Sequence, residues 1–211
     1  MYASMRWFQQ FVTSNHPLMA ELRNRLKVTL VPVANPAKYG TSNNPRVNAN
    51  LVDLNRNWNY QWSAYTPTSD QDYKGTSAAS EPETQAILPL ITSNTIVLDC
   101  HSFGPVPSTV VQYIEQPASL ASQISHEAAE SRWLSTYGTP SGLTLDDVGS
   151  VEVPYLINYA SSVTGQPAML IEASSALFGS IATIGSRYYA TREAVRAYCG
   201  LITEFLAANV L

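Results

Sequence analysis

The spacing of apolar positions changes several times along the chain, and each change marks a predicted element. Met5, Phe8 and Val12 fall at near-helical spacing, predicting a helix over residues 2–12, and Leu18, Leu22 and Leu26 continue a second helical stretch. The run Lys27-VTLVPVAN-Pro36 is apolar and β-branched and stops at Asn-Pro, which predicts a buried strand. Residues 36–79 lack periodicity and are rich in Asn, Tyr, Ser, Pro and Gly. A loop of that length inside a domain is usually functional or disordered, and Trp58, Tyr60 and Trp62 favour packing over disorder. Ser80-Glu-Pro-Glu83 has the form of a capping box with an early proline, opening a helix to about Ser93.

Further strands are expected at Thr95-IVLDCH, Thr109-VVQYI and Ala168-MLIEA, and helices at Pro117–Tyr137, around Val151–Ser161 and at Ser186–Ala208. A Gly-, Thr- and Asp-containing loop precedes the Val151 helix. Strands alternating with helices predict an α/β class with a largely buried sheet. No internal repeat or interdomain linker is visible, so one domain over residues 1–211 is expected.

Composition narrows the classes. The 211 residues are 45% hydrophobic and 13% charged, which suits a chain that buries a substantial core rather than a disordered one. Twelve Lys and Arg are spread thinly against sixteen Asp and Glu, with a net charge of −4, so no nucleic-acid partner is expected. No apolar run approaches the roughly 20 residues of a membrane-crossing helix, so no membrane partner is expected either. Cys100 and Cys199 are too few for a disulfide scaffold and form no C-x-x-C pair; two buried thiols are expected. The opening MYASMRWFQQF lacks the order of a signal peptide and reads as a helix already in progress.

Chemistry is expected beyond the carboxyl ends of the strands, where loops converge. Two strands end there in ionisable residues, His101 and Glu172. His101 is either a satisfied core residue or a functional one, and the Ser102-Phe-Gly-Pro loop after it favours exposure. Glu172 follows an apolar run, where a carboxylate is costly to bury unless paired or used. The long loop contributes Arg46-VNANLVDLNRN-Trp58. Its two arginines and several asparagines suit bidentate recognition of a carboxylate; the alternative is a loop satisfying its own backbone.

That segment resembles the pattern R-x-N-x-x-G-V-D-L-N-R-N-[FW] of zinc metallocarboxypeptidases. Pro32-V-A-N-Pro36, Tyr73-KGTSAASEPE-Thr84, Asp99-C-H-S-Phe103 and Leu170-I-Glu172 resemble further landmarks of that family, in the family's order. The resemblance implies a mixed, mostly parallel twisted sheet flanked by helices, shortened at the N-terminus, with zinc as cofactor and a peptide C-terminus as partner. It implies His101 as one zinc ligand and Arg46 as the donor to the oxyanion. Asn55 and Arg56 would clamp the terminal carboxylate, and Glu172 would take a proton from the attacking water and return it to the leaving amine. Amide hydrolysis needs such a base, an activated water and donors aimed at developing negative charge.

The pattern breaks in two places. The family's other two zinc ligands come from H-x-x-E, which occurs nowhere in this chain; matching the first helix to the family would place it just before Met1. His16 is followed by Pro, Leu and Met, and His126 with Glu130 reads as a solvated surface pair. Second, the mobile-loop tyrosine of pancreatic-type members has no match in Ser141-GLTLDDVG-Ser150; Tyr137 and Tyr155 flank it. Glu152, or Asp146 and Asp147 before it, would favour a basic terminal residue or a diaminopimelate-like group. The expected function is removal of a C-terminal residue from peptides or cell-wall peptides. The alternative is a non-catalytic or truncated form, serving as a carboxylate-binding or structural module. A serine nucleophile at Ser102, Ser174 or Ser175 lacks the G-x-S-x-G elbow. Low charge with abundant Asn, Ser, Thr and aromatics suits an extracellular, periplasmic or virion-borne setting.

Overall fold

Helix α1 (Tyr2–Thr13) forms where the spacing predicts it but buries a different face. Trp7 and Phe11, four residues apart, stack with ring centroids 5.2 Å apart and are buried, whereas Met5 and Val12 are exposed. The two aromatics carry the larger apolar area, and the Trp7 indole N–H finds a partner in Thr203 Oγ1 at 3.1 Å. Helix α2 (Pro17–Arg25) starts on Pro17 with His16 as its cap, the imidazole Nδ1 accepting from the Leu18 N–H at 3.3 Å. Arg23 donates to the Phe11 carbonyl and, at 2.8 Å, to that of Ser14, satisfying orphan oxygens where α1 ends.

The computed structural model describes residues 2–39, 46–103, 109–116, 143–147, 153–174, 199–200 and 202–211. The expected helix at Pro117–Tyr137, residues 186–198 of the closing helix, and Glu152, His126 and Glu130 lie outside the described residues. Contacts group the chain into two units: Met1–Val28 with Cys100–Gly149 and Met169–Leu211, and Thr29–Asp99 with Ser150–Ala168.

Four strands, β1 (Val97–Phe103), β2 (Thr109–Gln116), β3 (Leu143–Asp147) and β4 (Ala168–Ser174), form one sheet in the order β1-β4-β2-β3. Strand β4 lies inside the sheet, and its run Ala168-Met-Leu-Ile171 is buried without alternation, as a strand covered on both faces requires. Strands β2 and β3 are parallel, from Thr109 opposite Leu143 to Tyr113 opposite Asp147. The α/β class is thus as expected, but β3 falls in a segment read as loop, because Leu-Thr-Leu is too short to declare a period. In the first unit, the helical residues Cys199, Ile202, Phe205 and Leu206 are buried at spacings of three and four. Neither cysteine is in a disulfide, and Cys100 is half-buried rather than buried. Burial pushes the Cys199 thiol up to about 12.

Three expectations for residues 27–93 need correction. Lys27–Pro36 forms no strand: no partner pairs with it among the described residues, Pro32 lacks the N–H a ladder needs, and Val31 is exposed. Helix α3 (Pro82–Ile87) is shorter than expected and tightens into a 3-10 turn, Leu88–Leu90, at Pro89. The capping box does not close either. Glu81 is the cap residue, and the Ser80 hydroxyl donates to Glu81 Oε1 at 2.7 Å instead of serving the helix. Helix α4 (Leu156–Thr164) ends on Gly165 in the left-handed region, and its Tyr159 stacks on buried Trp58 at 5.6 Å.

Two positive-φ positions invite opposite substitutions. Gly75 has φ +86°, and a Cβ there would collide with Ser80 Oγ and lie 2.7 Å from Asn57 Nδ2. Gly75→Ala is expected to cost about 2 kcal/mol or more, measured by denaturant unfolding. Leu51 has φ +62° and is exposed, at the place where the resembled pattern has Gly. Leu51→Gly should therefore gain about 0.5–1 kcal/mol in the same assay.

Candidate active site

The Arg46–Trp58 segment is a tight reversal held by its own side chains. Val47 and Asp53 form an antiparallel bridge, and Asn48 Oδ1 accepts from the N–H groups of Asn50 and Val52, both at 3.0 Å. Asn48 and Asn50 then reach outward to Glu81 Oε2, at 2.7 and 2.8 Å. Asn57, fully buried, performs the same service further on. Its amide nitrogen donates among the Lys74 carbonyl, the Ser77 carbonyl and Ser80 Oγ, and its Oδ1 accepts from the Glu81 N–H. The Y-x-G and S-E-P-E boxes are thereby fastened to the Asn/Arg motif. Burial works against the Glu81 carboxylate, but donors from Ser80, Asn48 and Asn50 outweigh it and hold the group below its usual range.

Asp53 caps the 3-10 turn Leu54–Arg56 by accepting from the Asn55 N–H at 3.0 Å. Around it the structure gathers two arginines and a second carboxylate. Arg46 Nη2 lies 2.7 Å from Asp53 Oδ2 and 2.6 Å from Asp72 Oδ1. Arg56 approaches the same two acids at 3.8 and 3.6 Å. Arg56 also donates from Nε to the Tyr65 hydroxyl at 3.1 Å, and its guanidinium carbon lies 4.6 Å from the Tyr155 ring centroid. Burial opposes the Arg56 charge, yet Tyr155, Asp53 and Tyr65 more than offset it and hold the group above its ordinary value. Asp72 is likewise opposed by burial, but Thr68, Arg46, Arg56 and Ser69 keep it below the usual carboxylate range. Asn55 Oδ1 accepts from the Leu156 N–H at 2.8 Å, anchoring the motif to the start of α4.

His101 and Glu172 sit near the carboxyl ends of neighbouring strands β1 and β4. Their side chains face each other, Nδ1 to Oε1 at 3.8 Å, and each is about one-third exposed (32% and 29%). A strand-end position fixes both Cα atoms while leaving the polar tips in reach of solvent. Catalytic zinc needs about three protein ligands and an open position. Among the described residues no three His, Cys, Asp or Glu side chains converge, so one imidazole beside one carboxylate does not fit a complete zinc centre. His16, the other described histidine, is committed to its helix cap.

Arg46, Asn55 and Arg56 thus fall in one cluster and His101 with Glu172 in another. Glu152 and the side chains of Asp146, Asp147, Ser102, Ser174 and Ser175 lie outside the description. The sequence reading missed Asp72 and Tyr65. Tyr155 is placed there only as flanking the segment that lacks the family's mobile tyrosine, and the structure brings its ring to Arg56. The acid immediately before the Y-x-G box was the available signal for Asp72, yet nothing in its spacing points at Arg46, 26 residues away.

The zinc carboxypeptidase family matches residues 2–165. Human Carboxypeptidase O is 30% identical over 139 residues, covering 56% of this chain and 37% of its own length. The solved thrombin activatable fibrinolysis inhibitor superposes with a TM-score of 0.64 at 14% identity, covering 99% of this chain and 57% of that one. A metallo-carboxypeptidase from Burkholderia cenocepacia gives 0.51 at 17% identity, covering 96% of this chain and 51% of that one. The chain therefore spans little more than a third of that curated relative and somewhat over half of those structures. No described helix is long and apolar enough to cross a membrane.

Glu81 and Asp72 are held below their ordinary values of 4.5 and 3.8. A depressed folded-state pKa stabilises above the unfolded-state value and loses that stabilisation as pH falls through the folded one. Unfolding free energy should thus be level near neutrality and decline below about pH 4.5. Glu81→Gln is expected to remove about 1–2 kcal/mol at pH 7 and to make the acid decline shallower in pH-dependent urea titrations.

Proposed function

This chain belongs to the zinc carboxypeptidase family, and on that footing we propose that it serves the hydrolytic removal of the C-terminal residue of a peptide, cell-wall peptides included. The observation that carries the proposal is the arginine cluster. Two guanidinium groups, one fixed between Tyr65 and Tyr155, are set beside Asn55 on a loop stiffened by buried amides. A planar cation that is already immobilised loses little freedom on meeting a carboxylate, so recognition of a chain terminus gains specificity at small entropic cost. Asn55 and Arg56 hold that terminus and Arg46 supports the developing oxyanion. Glu172, held near His101 at the strand ends, takes the proton of the attacking water and returns it to the leaving amine.

In the family, zinc supplies the polarised water. His101 offers this chain's imidazole to such an ion, but one ligand would hold it weakly. That incomplete donor set favours a second reading, a carboxylate-binding module without turnover.

Benzoylglycyl-phenylalanine and its C-terminal amide distinguish the two, with metal content read by atomic absorption. Hydrolysis of the free acid only supports the first reading, and Glu172→Gln should then lower kcat by about 10²–10⁴-fold. Binding of the acid over the amide without cleavage supports the second reading. Equal binding of acid and amide refutes the role given to Arg56 in both.

A further inference from the structure

Neither Arg56, assigned to the substrate carboxylate, nor Arg46, assigned to the oxyanion, waits with its charge unmatched. We propose that Asp72 is an internal occupant of the carboxylate-holding position, and that an incoming peptide terminus must displace it; this rests on the reading of the arginine pair given above.

The two acids in the cluster are not equivalent. Asp53 belongs to the same motif as the arginines, caps its own turn, and has its backbone N–H bonded to the Tyr73 carbonyl at 2.8 Å, with a side chain only 6% exposed. It is a permanent counter-ion. Asp72 comes from a different stretch, at the end of the short 3-10 turn Asp70–Asp72. One oxygen of it, Oδ1, lies 2.6 Å from Arg46 and 3.6 Å from Arg56, the second an ion pair beyond hydrogen-bond reach. Its other oxygen is held by the hydroxyls of Thr68 at 2.7 Å and Ser69 at 3.2 Å, neighbours on its own loop. Two arginines and two aspartates sum to zero, so a substrate carboxylate approaching the intact cluster meets no net cation. Withdrawal of Asp72 would expose one positive charge, which a peptide terminus would then neutralise.

Thr68, Ser69, Asp70 and Tyr73, neighbours of Asp72 in the chain, line an open cavity of about 590 Å³ with Asn50, Leu51 and Pro67, so the loop that carries Asp72 borders open space. Burial-adjusted charge agrees: Asp72 is held below the usual carboxylate range, so it competes as an anion at neutral pH.

Asp72→Asn keeps the size of the side chain and removes its charge. Dissociation constants for benzoylglycyl-phenylalanine and for its C-terminal amide would be measured by calorimetry on the intact protein and on this variant. The expected result is binding of the free acid tighter by about tenfold or more, with the amide unchanged. Thr68→Val, which leaves all four charges but loosens the hold on Asp72, should tighten the acid by a smaller factor and guards against misfolding of the first variant. Equal or weaker binding of the acid by a folded Asp72→Asn, as shown by its thermal melt, overturns the proposal and makes Asp72 a support for Arg46. If the unaltered protein and both variants bind acid and amide alike, the carboxylate-recognition reading itself fails, and the proposal with it.

Discussion

Asn57 is fully buried, and its carboxamide is shared between two stretches of chain with almost no regular secondary structure of their own. A backbone that forms neither helix nor ladder must find other partners for its polar groups, or leave them unsatisfied at a cost of about 1–3 kcal/mol each. Asn57 meets that demand in both directions, donating to the Lys74 and Ser77 carbonyls and accepting from the Glu81 N–H, while its own carbonyl accepts from Ala79 at 2.7 Å. Gly75 must be glycine because this amide and Ser80 occupy the space of a side chain. Glu81 repeats the device one layer out, receiving Asn48 and Asn50. The described part of this long aperiodic loop is thus ordered by buried amides and the buried carboxylates of Glu81 and Asp53, and the arginines inherit their positions from it.

The two groups of chemical residues are held in different ways. His101 and Glu172 ride on neighbouring strands, whose backbone positions them. Arg46 and Arg56 sit on irregular chain and are fixed by charge, by the Tyr65 hydroxyl and by aromatic faces. Strand ends suit groups that need constant geometry. An ion-paired loop suits a recognition site whose partners can be exchanged.

Legibility from sequence followed the range of the forces involved. The α1 helix, the strands bearing His101 and Glu172, and the motif-bearing loop were readable because periodicity and local motifs specify them. The buried face of α1 was not legible, since Met5, Phe8 and Val12 satisfy helical spacing as well as Trp7 and Phe11 do; the Trp7 indole finds its partner in Thr203, far along the chain. Lys27–Pro36 has strand composition but finds no ladder, and β3 has a ladder despite weak composition, since pairing is a tertiary property. Ser80 failed as a cap because the adjacent Glu81 offered a charged acceptor. The role of Asp72 was invisible for the same reason: ion pairs between distant segments leave no spacing signature.

The turn at Asn50-Leu51 bears on how the protein ages. Asparagine loses its amide when the backbone nitrogen of the next residue attacks the side-chain carbonyl, a route left open by glycine at that next position. Here the branched side chain of Leu51 crowds that nitrogen, its N–H is bonded to the Asn48 carbonyl at 3.2 Å, and the Asn50 amide is tethered to Glu81. Conversion of Asn50 to an acid would set a second negative charge against Glu81 Oε2, 2.8 Å away, and unfasten the layer that orders the loop. A left-handed leucine, awkward for the backbone, thereby protects the amide chemistry on which the arginine-bearing loop depends over the lifetime of the molecule.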